Sequence, residues 1–200
     1  MKPTIFQPDW PMITLWILAT ALGGALGWLL GSFANFDQNL FWNTVFVLTA
    51  TGTLIGLGQW IILSRYWGDF NTWPVTTSLG AALAAPIAFA LSRDLSEGAR
   101  QIINFAIIGC LVGTLQWLIL RKRFSNAAWW ILFSGLGGGL GWTINNFITR
   151  PLINLLTPGL VESLFSCGLC LGLGIGLVTG FGLSWLARSD SAEEPVLPAN

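Results

Sequence analysis

This chain repeats itself at a constant step, marked by Trp16, Trp73 and Trp130. Trp16-Ile-Leu-Ala-Thr-Ala-Leu22-Gly23 returns as Trp73-Pro-Val-Thr-Thr-Ser-Leu79-Gly80 and again as Trp130-Ile-Leu-Phe-Ser-Gly-Leu136-Gly137. A second element keeps the same step, as Gly56-Leu-Gly-Gln59-Trp60-Ile-Ile-Leu63 and Gly113-Thr-Leu-Gln116-Trp117-Leu-Ile-Leu120. Each copy holds a pair of apolar segments, so the repeat predicts three helical hairpins.

Composition decides the solvent for those hairpins. Only 9% of the 200 residues are charged and 54% are hydrophobic, too little polar surface for a soluble chain of this size. Six stretches, near 12–33, 41–63, 73–91, 102–120, 128–148 and 160–186, reach the ~20 residues that a helix needs to cross a bilayer. The expected fold is therefore an all-α integral membrane protein of six transmembrane helices. Its single domain, 1–188, contains hairpins 12–63, 73–120 and 128–186, and 189–200 forms a flexible acidic tail. Short loops leave no room for a soluble catalytic domain, and no enzyme is expected. The first span could be misread as a leader ending at Ser32-Phe33-Ala34. Its Trp16…Gly23…Gly27-Trp28 series, however, matches Trp130…Gly137…Gly141-Trp142, so it reads as a retained helix.

Lys and Arg near the spans set the orientation. One side carries Lys2, Arg65, Arg121, Lys122, Arg123 and Arg188; the other carries Arg93, Arg100 and Arg150. Both termini are expected in the cytoplasm. The repeat slips in its third copy, because Trp117 and Trp185 lie further apart than Trp60 and Trp117 do. The extra length falls in 149–160, where Pro151 and Pro158 predict a short interfacial helix.

Small residues should pack the bundle. Gly23 and Gly27, Gly52 and Gly56, Gly109 and Gly113, and Gly172 and Gly176 all stand four apart, the spacing that lets membrane helices approach closely. Trp16, Trp73 and Trp130, with Trp60, Trp117 and Trp185, bracket the cytoplasmic ends of the hairpins. They suit an aromatic belt at headgroup level, or an aromatic pocket for a pigment, quinone or other planar ligand.

The polar residues inside the spans are few, and each needs a partner. Gln59 and Gln116 occupy equivalent places, and Ser184 is expected in the third copy. They read as interhelical hydrogen-bonding glue or as a pseudo-threefold polar constriction around a ligand. Glu162, in the first turn of the last helix, fits the helix dipole or an ion-coupling role. Asn145 ends helix five on the same face. In repeat two, Ala84-Ala85 replaces the Gly-Trp pair of its sisters, which places a cavity or partner groove beside Ala81, Ala85, Asn145 and Glu162. The alternative is that neighbouring Phe side chains or lipid fill the gap.

The chain has no His, which removes the commonest metal ligand and near-neutral proton carrier. No metal or cofactor is expected, and any bound group would be lipid or pigment. Cys167-Gly-Leu-Cys170 has redox spacing but no nearby cation, and reads as small apolar filler. With zero net charge and no basic run beyond Arg121-Lys122-Arg123, nucleic acid is not an expected partner. The expected partners are the lipid bilayer and other membrane-protein subunits.

The string Gly113-Thr-Leu-Gln116-Trp117-Leu-Ile-Leu120-Arg121, followed by Trp129-Trp130 and Gly137-Gly138-Gly139-Leu140-Gly141-Trp142, resembles the repeat of Gly/Trp-rich multi-spanning membrane proteins of cyanobacteria and similar bacteria. The resemblance covers repeats one and two and helix five, and fades in helix six. It implies a bacterial plasma- or thylakoid-membrane protein and brings no catalytic residues to carry over. The expectation is a non-enzymatic membrane scaffold or accessory subunit. The alternative is a small transporter or substrate-binding membrane component, which would show an internal cavity reached from one face.

Overall fold

The computed structural model describes residues 9–33, 40–92, 94–152 and 160–192, with backbone alone for 40, 160–165 and 191–192. Among these, six α-helices follow one another: α1 (Trp10–Phe33), α2 (Leu40–Trp67), α3 (Trp73–Ser92), α4 (Glu97–Leu120), α5 (Trp129–Ile144) and α6 (Leu160–Ala192). Five of them, all but α5, are long and apolar enough to cross a membrane, the mark of a membrane protein. The fifth is 16 residues long and runs straight into a π-helical turn, Asn145–Thr149, with helix continuing to Leu152.

Each helix packs mainly on its two neighbours in sequence, and α6 returns to pack on α1. The six helices thus close into a ring around a central axis. The outward faces of the odd helices carry leucine at one-repeat intervals: Leu22, Leu79 and Leu136 are 54%, 52% and 54% exposed. Small residues and Trp16, Trp73 and Trp130 point inward instead. That arrangement suits a solvent of acyl chains, which welcome Leu, and an interior held by close contact rather than by hydrophobic exclusion.

Glycine makes that contact. A Cβ on Gly27 would collide with Thr51 Cα, and one on Gly172 would collide with the Thr20 carbonyl oxygen. All the glycines expected to pack meet a neighbouring helix in this way. Gly23 and Gly27 approach α2, Gly52 and Gly56 approach α3, Gly109 and Gly113 approach α5, and Gly172 and Gly176 approach α1. The faces are spent inside the chain.

Two sequence expectations need correction or fall outside the described residues. Residues 149–152, in place of starting a separate interfacial segment, prolong α5; the rest of that segment, with Pro158, lies outside the described residues. The tail does not begin at 189, because α6 extends to Ala192. There Asp190 accepts a hydrogen bond from the Ser125 amide at 3.1 Å. The remainder of the tail, Lys2 and Arg93 lie outside the described residues.

Candidate functional site

The tryptophans that suit an interfacial belt on sequence grounds form the inner seal of the ring. Trp16, Trp73 and Trp130 are fully buried and meet edge to face in a triangle, with ring centroids 5.9–6.3 Å apart. Aromatic pairs favour this geometry because the positive edge of one ring faces the negative face of the next. Below them Leu63, Leu120 and Leu183, with Phe70, Phe124 and Met12, complete a buried apolar plug. An indole with no route to water must bond its N–H internally. That requirement, not the headgroup, places these three. Trp60 and Trp117 are half-buried, and Trp185 alone of the six is well exposed, at 42%.

A hydrogen-bonded circuit lies directly above the seal. The Trp130 Nε1–H donates to Gln116 Oε1 at 2.8 Å, and Gln116 Nε2 donates to Thr77 Oγ1 at 2.8 Å. The Thr77 hydroxyl then donates to the Trp73 carbonyl at 2.8 Å. One repeat earlier the pattern is the same: Trp73 Nε1 to Gln59 Oε1 at 3.0 Å, Gln59 Nε2 to Thr20 Oγ1 at 3.2 Å, and Thr20 to the Trp16 carbonyl at 2.7 Å. Each glutamine therefore clamps three helices, and both are buried, at 2% and 3% exposure.

The third copy departs from the sequence expectation. Trp16 Nε1 donates to Thr179 Oγ1 at 3.0 Å, so Thr179 stands in the place assigned to Ser184. Two further sets of contacts agree. Gly52 approaches α3, Gly109 approaches α5 and Gly172 approaches α1 at the Thr77, Ser134 and Thr20 level, and Leu63, Leu120 and Leu183 share the plug. Both sets keep the repeat step into the second copy and lengthen it into the third. The slip from Gly109 to Gly172, or from Leu120 to Leu183, is smaller than the one from Trp117 to Trp185. Matching Trp185 with Trp117 therefore gives the wrong register. Gly180 holds that place, its Cβ position 3.2 Å from Trp16 Cδ1. Ser184 is buried.

Above the circuit the axis is hollow. A cavity of about 60 Å³ is lined by polar Gln59, Gln116, Thr77, Ser134, Thr51 and Thr179 and by apolar residues including Ile55, Ala81, Val112 and Ile175. Among the described residues no charged side chain lines it. A second, wider space of about 300 Å³ shares Leu48, Phe105 and Ile108 with the first as a common wall. Its rim carries Thr44, Glu97, Arg100, Gln101 and Asn104, beside Trp28 and Trp142. Glu97 pairs with Arg100 and accepts from Gln101 Nε2 at 2.6 Å. Gln101 Oε1 in turn accepts from Trp142 Nε1 at 2.9 Å. The outer space is amphipathic and the inner one is neutral.

The missing indole of repeat two is replaced from another helix. Phe105 stacks on Trp142 with centroids 4.2 Å apart and an interplanar angle of 13°, and lies 6.1 Å from Trp28. Trp28, Trp142 and Phe105 thus form a second aromatic cluster above the inner cavity. Ala85 is buried with Leu48 and Ala81 beneath Trp28 and Phe105 and reaches neither cavity. A neighbouring Phe fills the gap, as the alternative reading of the sequence has it. The groove expected beside Ala81, Ala85, Asn145 and Glu162 is accordingly not one site. Ala81 lines the inner cavity, while Asn145, fully buried, donates to Cys167 Sγ at 3.4 Å across the α5–α6 contact. The Glu162 side chain lies outside the described residues.

Sequence reasoning misses Thr20, Thr77, Ser134, Thr179 and Phe105. The first three carry a legible signal, a hydroxyl four residues after the repeated Trp in every copy. The fourth is hidden by the displaced register, and the fifth is visible only as a ring contact. Among the described residues no cluster of three or more His, Cys, Asp or Glu could hold a metal ion. No family model, no curated protein and no solved structure matches this chain.

Proposed function

We propose that this chain is an accessory membrane component that holds a small, neutral or weakly polar ligand inside its helical ring. The observation that carries the reading is the pair of adjoining cavities, the inner one lying against the level of the Trp16–Trp73–Trp130 seal. Ligand sites are concave and mostly apolar, with a few convergent polar groups, and Gln59, Gln116, Ser134 and Thr179 supply those groups here. A blind chamber favours binding over conduction in this conformation. A scaffold working through a glycine face has less support, because the packing glycines are used within the chain.

The topology that goes with this function is six spans in three pseudo-threefold hairpins, both ends on the cytoplasmic side. The helical run 129–152 supports a sixth span, since at 1.5 Å per residue it extends about 36 Å. The excess of Lys and Arg on the seal side supports the orientation.

The test is purification in mild detergent followed by mass spectrometry of extracted small molecules, for the native chain and for Leu48→Trp, which puts bulk into the wall shared by the two cavities. A compound enriched with the native chain and lost from a folded Leu48→Trp is the expected result. Identical extracts from the two proteins would overturn the reading.

A further inference from the structure

The hydrogen-bonded circuit runs α5–α4–α3–α2–α1–α6 and stops one link short of returning to α5. In the first two copies a glutamine spans from the Trp indole of one odd helix to the hydroxyl of the odd helix before it. In the third copy Thr179 is too short to do both. It accepts from Trp16 Nε1 and donates its own hydroxyl to the Ile175 carbonyl at 2.6 Å. The Ser134 hydroxyl, which corresponds to Thr20 and Thr77, has no hydrogen-bond partner. It is 4% exposed and lines the inner cavity together with Thr179 and Gln116. A buried hydroxyl without a partner forfeits free energy that a bound group could recover, so something is expected to satisfy it.

We propose, resting on the chamber being a binding site, that the inner cavity is a receptor for a neutral primary amide group, which takes the place of the carboxamide absent at Thr179. The fit follows from chemistry. The site lies at the third-copy level of the Gln59 and Gln116 carboxamides, and it offers Ser134 as donor and acceptor and Thr179 as acceptor. The absence of charge among the described lining residues disfavours a carboxylate or an ammonium, whose desolvation would go uncompensated. The group is either a small free amide or the amide end of a longer ligand whose body passes Leu48 and Phe105 into the outer space.

The probe is acetamide, with acetate as the charged isostere and N,N-dimethylacetamide as the amide without N–H donors. The measurement is thermal unfolding of the full chain in detergent. Acetamide should raise Tm of the native chain by about 2–4 °C near saturation, while the other two leave it unchanged. Thr179→Gln supplies the group covalently, so it should raise Tm by itself and abolish the response to acetamide. Ser134→Ala removes only an unpartnered hydroxyl, so it should fold normally and bind acetamide about three- to tenfold more weakly, the worth of one hydrogen bond. That variant keeps the test alive if Thr179→Gln does not fold. No response in the native chain, or one undiminished in Ser134→Ala or Thr179→Gln, overturns the proposal. If the response is absent while Leu48→Trp still loses a co-purifying compound, the amide assignment falls and the chamber stands. If both are absent, both fall.

Discussion

Gln59 and Gln116 each join a tryptophan on one side to a threonine on the other, and their value lies in what would be stranded without them. Replacing Gln59 with Leu leaves the Trp73 N–H without its acceptor and Thr20 without its donor. Interhelical hydrogen bonds in membranes average about 0.6 kcal/mol and reach about 1.7 kcal/mol. Two lost together should lower stability by about 1–2 kcal/mol, read by unfolding in mixed detergent. Gln116→Leu should cost the same, because the geometry is the same. Thr179→Val should cost less, since it strands only the Trp16 indole. If Thr179→Val proves as costly as Gln59→Leu, the three copies are not related in this way.

At the scale of the element, glycine marks three kinds of position. The Cβ of a Gly172 substitution would fall among backbone atoms of Thr20 and Ala21, which cannot move without parting α1 from α6. Gly172→Leu should therefore abolish folding or cost more than about 3 kcal/mol, as overpacking at a backbone contact does. Gly98, in the first turn of α4, has nothing within 4 Å of its Cβ position. Gly98→Ala should stabilise the chain by about 0.5–1 kcal/mol through helix propensity alone. Gly68 is different again: it is equally open but has φ of +84°. Gly68→Ala should destabilise the α2–α3 turn by about 1 kcal/mol, because a Cβ is strained there whatever the space. Thermal unfolding of the three variants side by side distinguishes contact, propensity and strain.

The whole molecule is a ring rather than a stack of three independent hairpins, and its orientation is open to direct test. With Cys110, Cys167 and Cys170 replaced, single cysteines at Gly68 and Ser125 should be shielded from an impermeant reagent in intact cells, while one at Ser96 should be labelled. The loops at 68 and 125 adjoin the tryptophan seal, and Ser96 lies just before α4 at the rim of the outer cavity, whose lining includes Glu97. Labelling at Gly68 or Ser125 would invert the assignment. Labelling at all three would break the hairpin topology. Cysteines at Asp37 and Thr157 should behave like Ser96, although both positions lie outside the described residues.

Composition, the constant repeat step and the spacing of glycine are enough to predict helices, apolar spans and packing positions, because each is a local property. Helix length follows from runs of apolar residues, and a Gly four residues from another must share its face. The roles of Gln59 and Gln116 as interior polar groups are legible for the same reason: a carboxamide inside an apolar span has to be bonded. The ring's closure, the depth of Trp16, Trp73 and Trp130 and the identity of their third partner are not legible. An amphipathic indole satisfies either a headgroup or a buried acceptor, and only the arrangement of neighbouring helices chooses between them. Thr179 cannot be distinguished from Ser184 without knowing which turn of α6 faces Trp16, and a shorter or a longer slip places different hydroxyls there. The cavity is likewise a tertiary fact. It exists where helices far apart in sequence meet, with Leu48, Ala81, Val112, Ser134 and Ile175 on its wall.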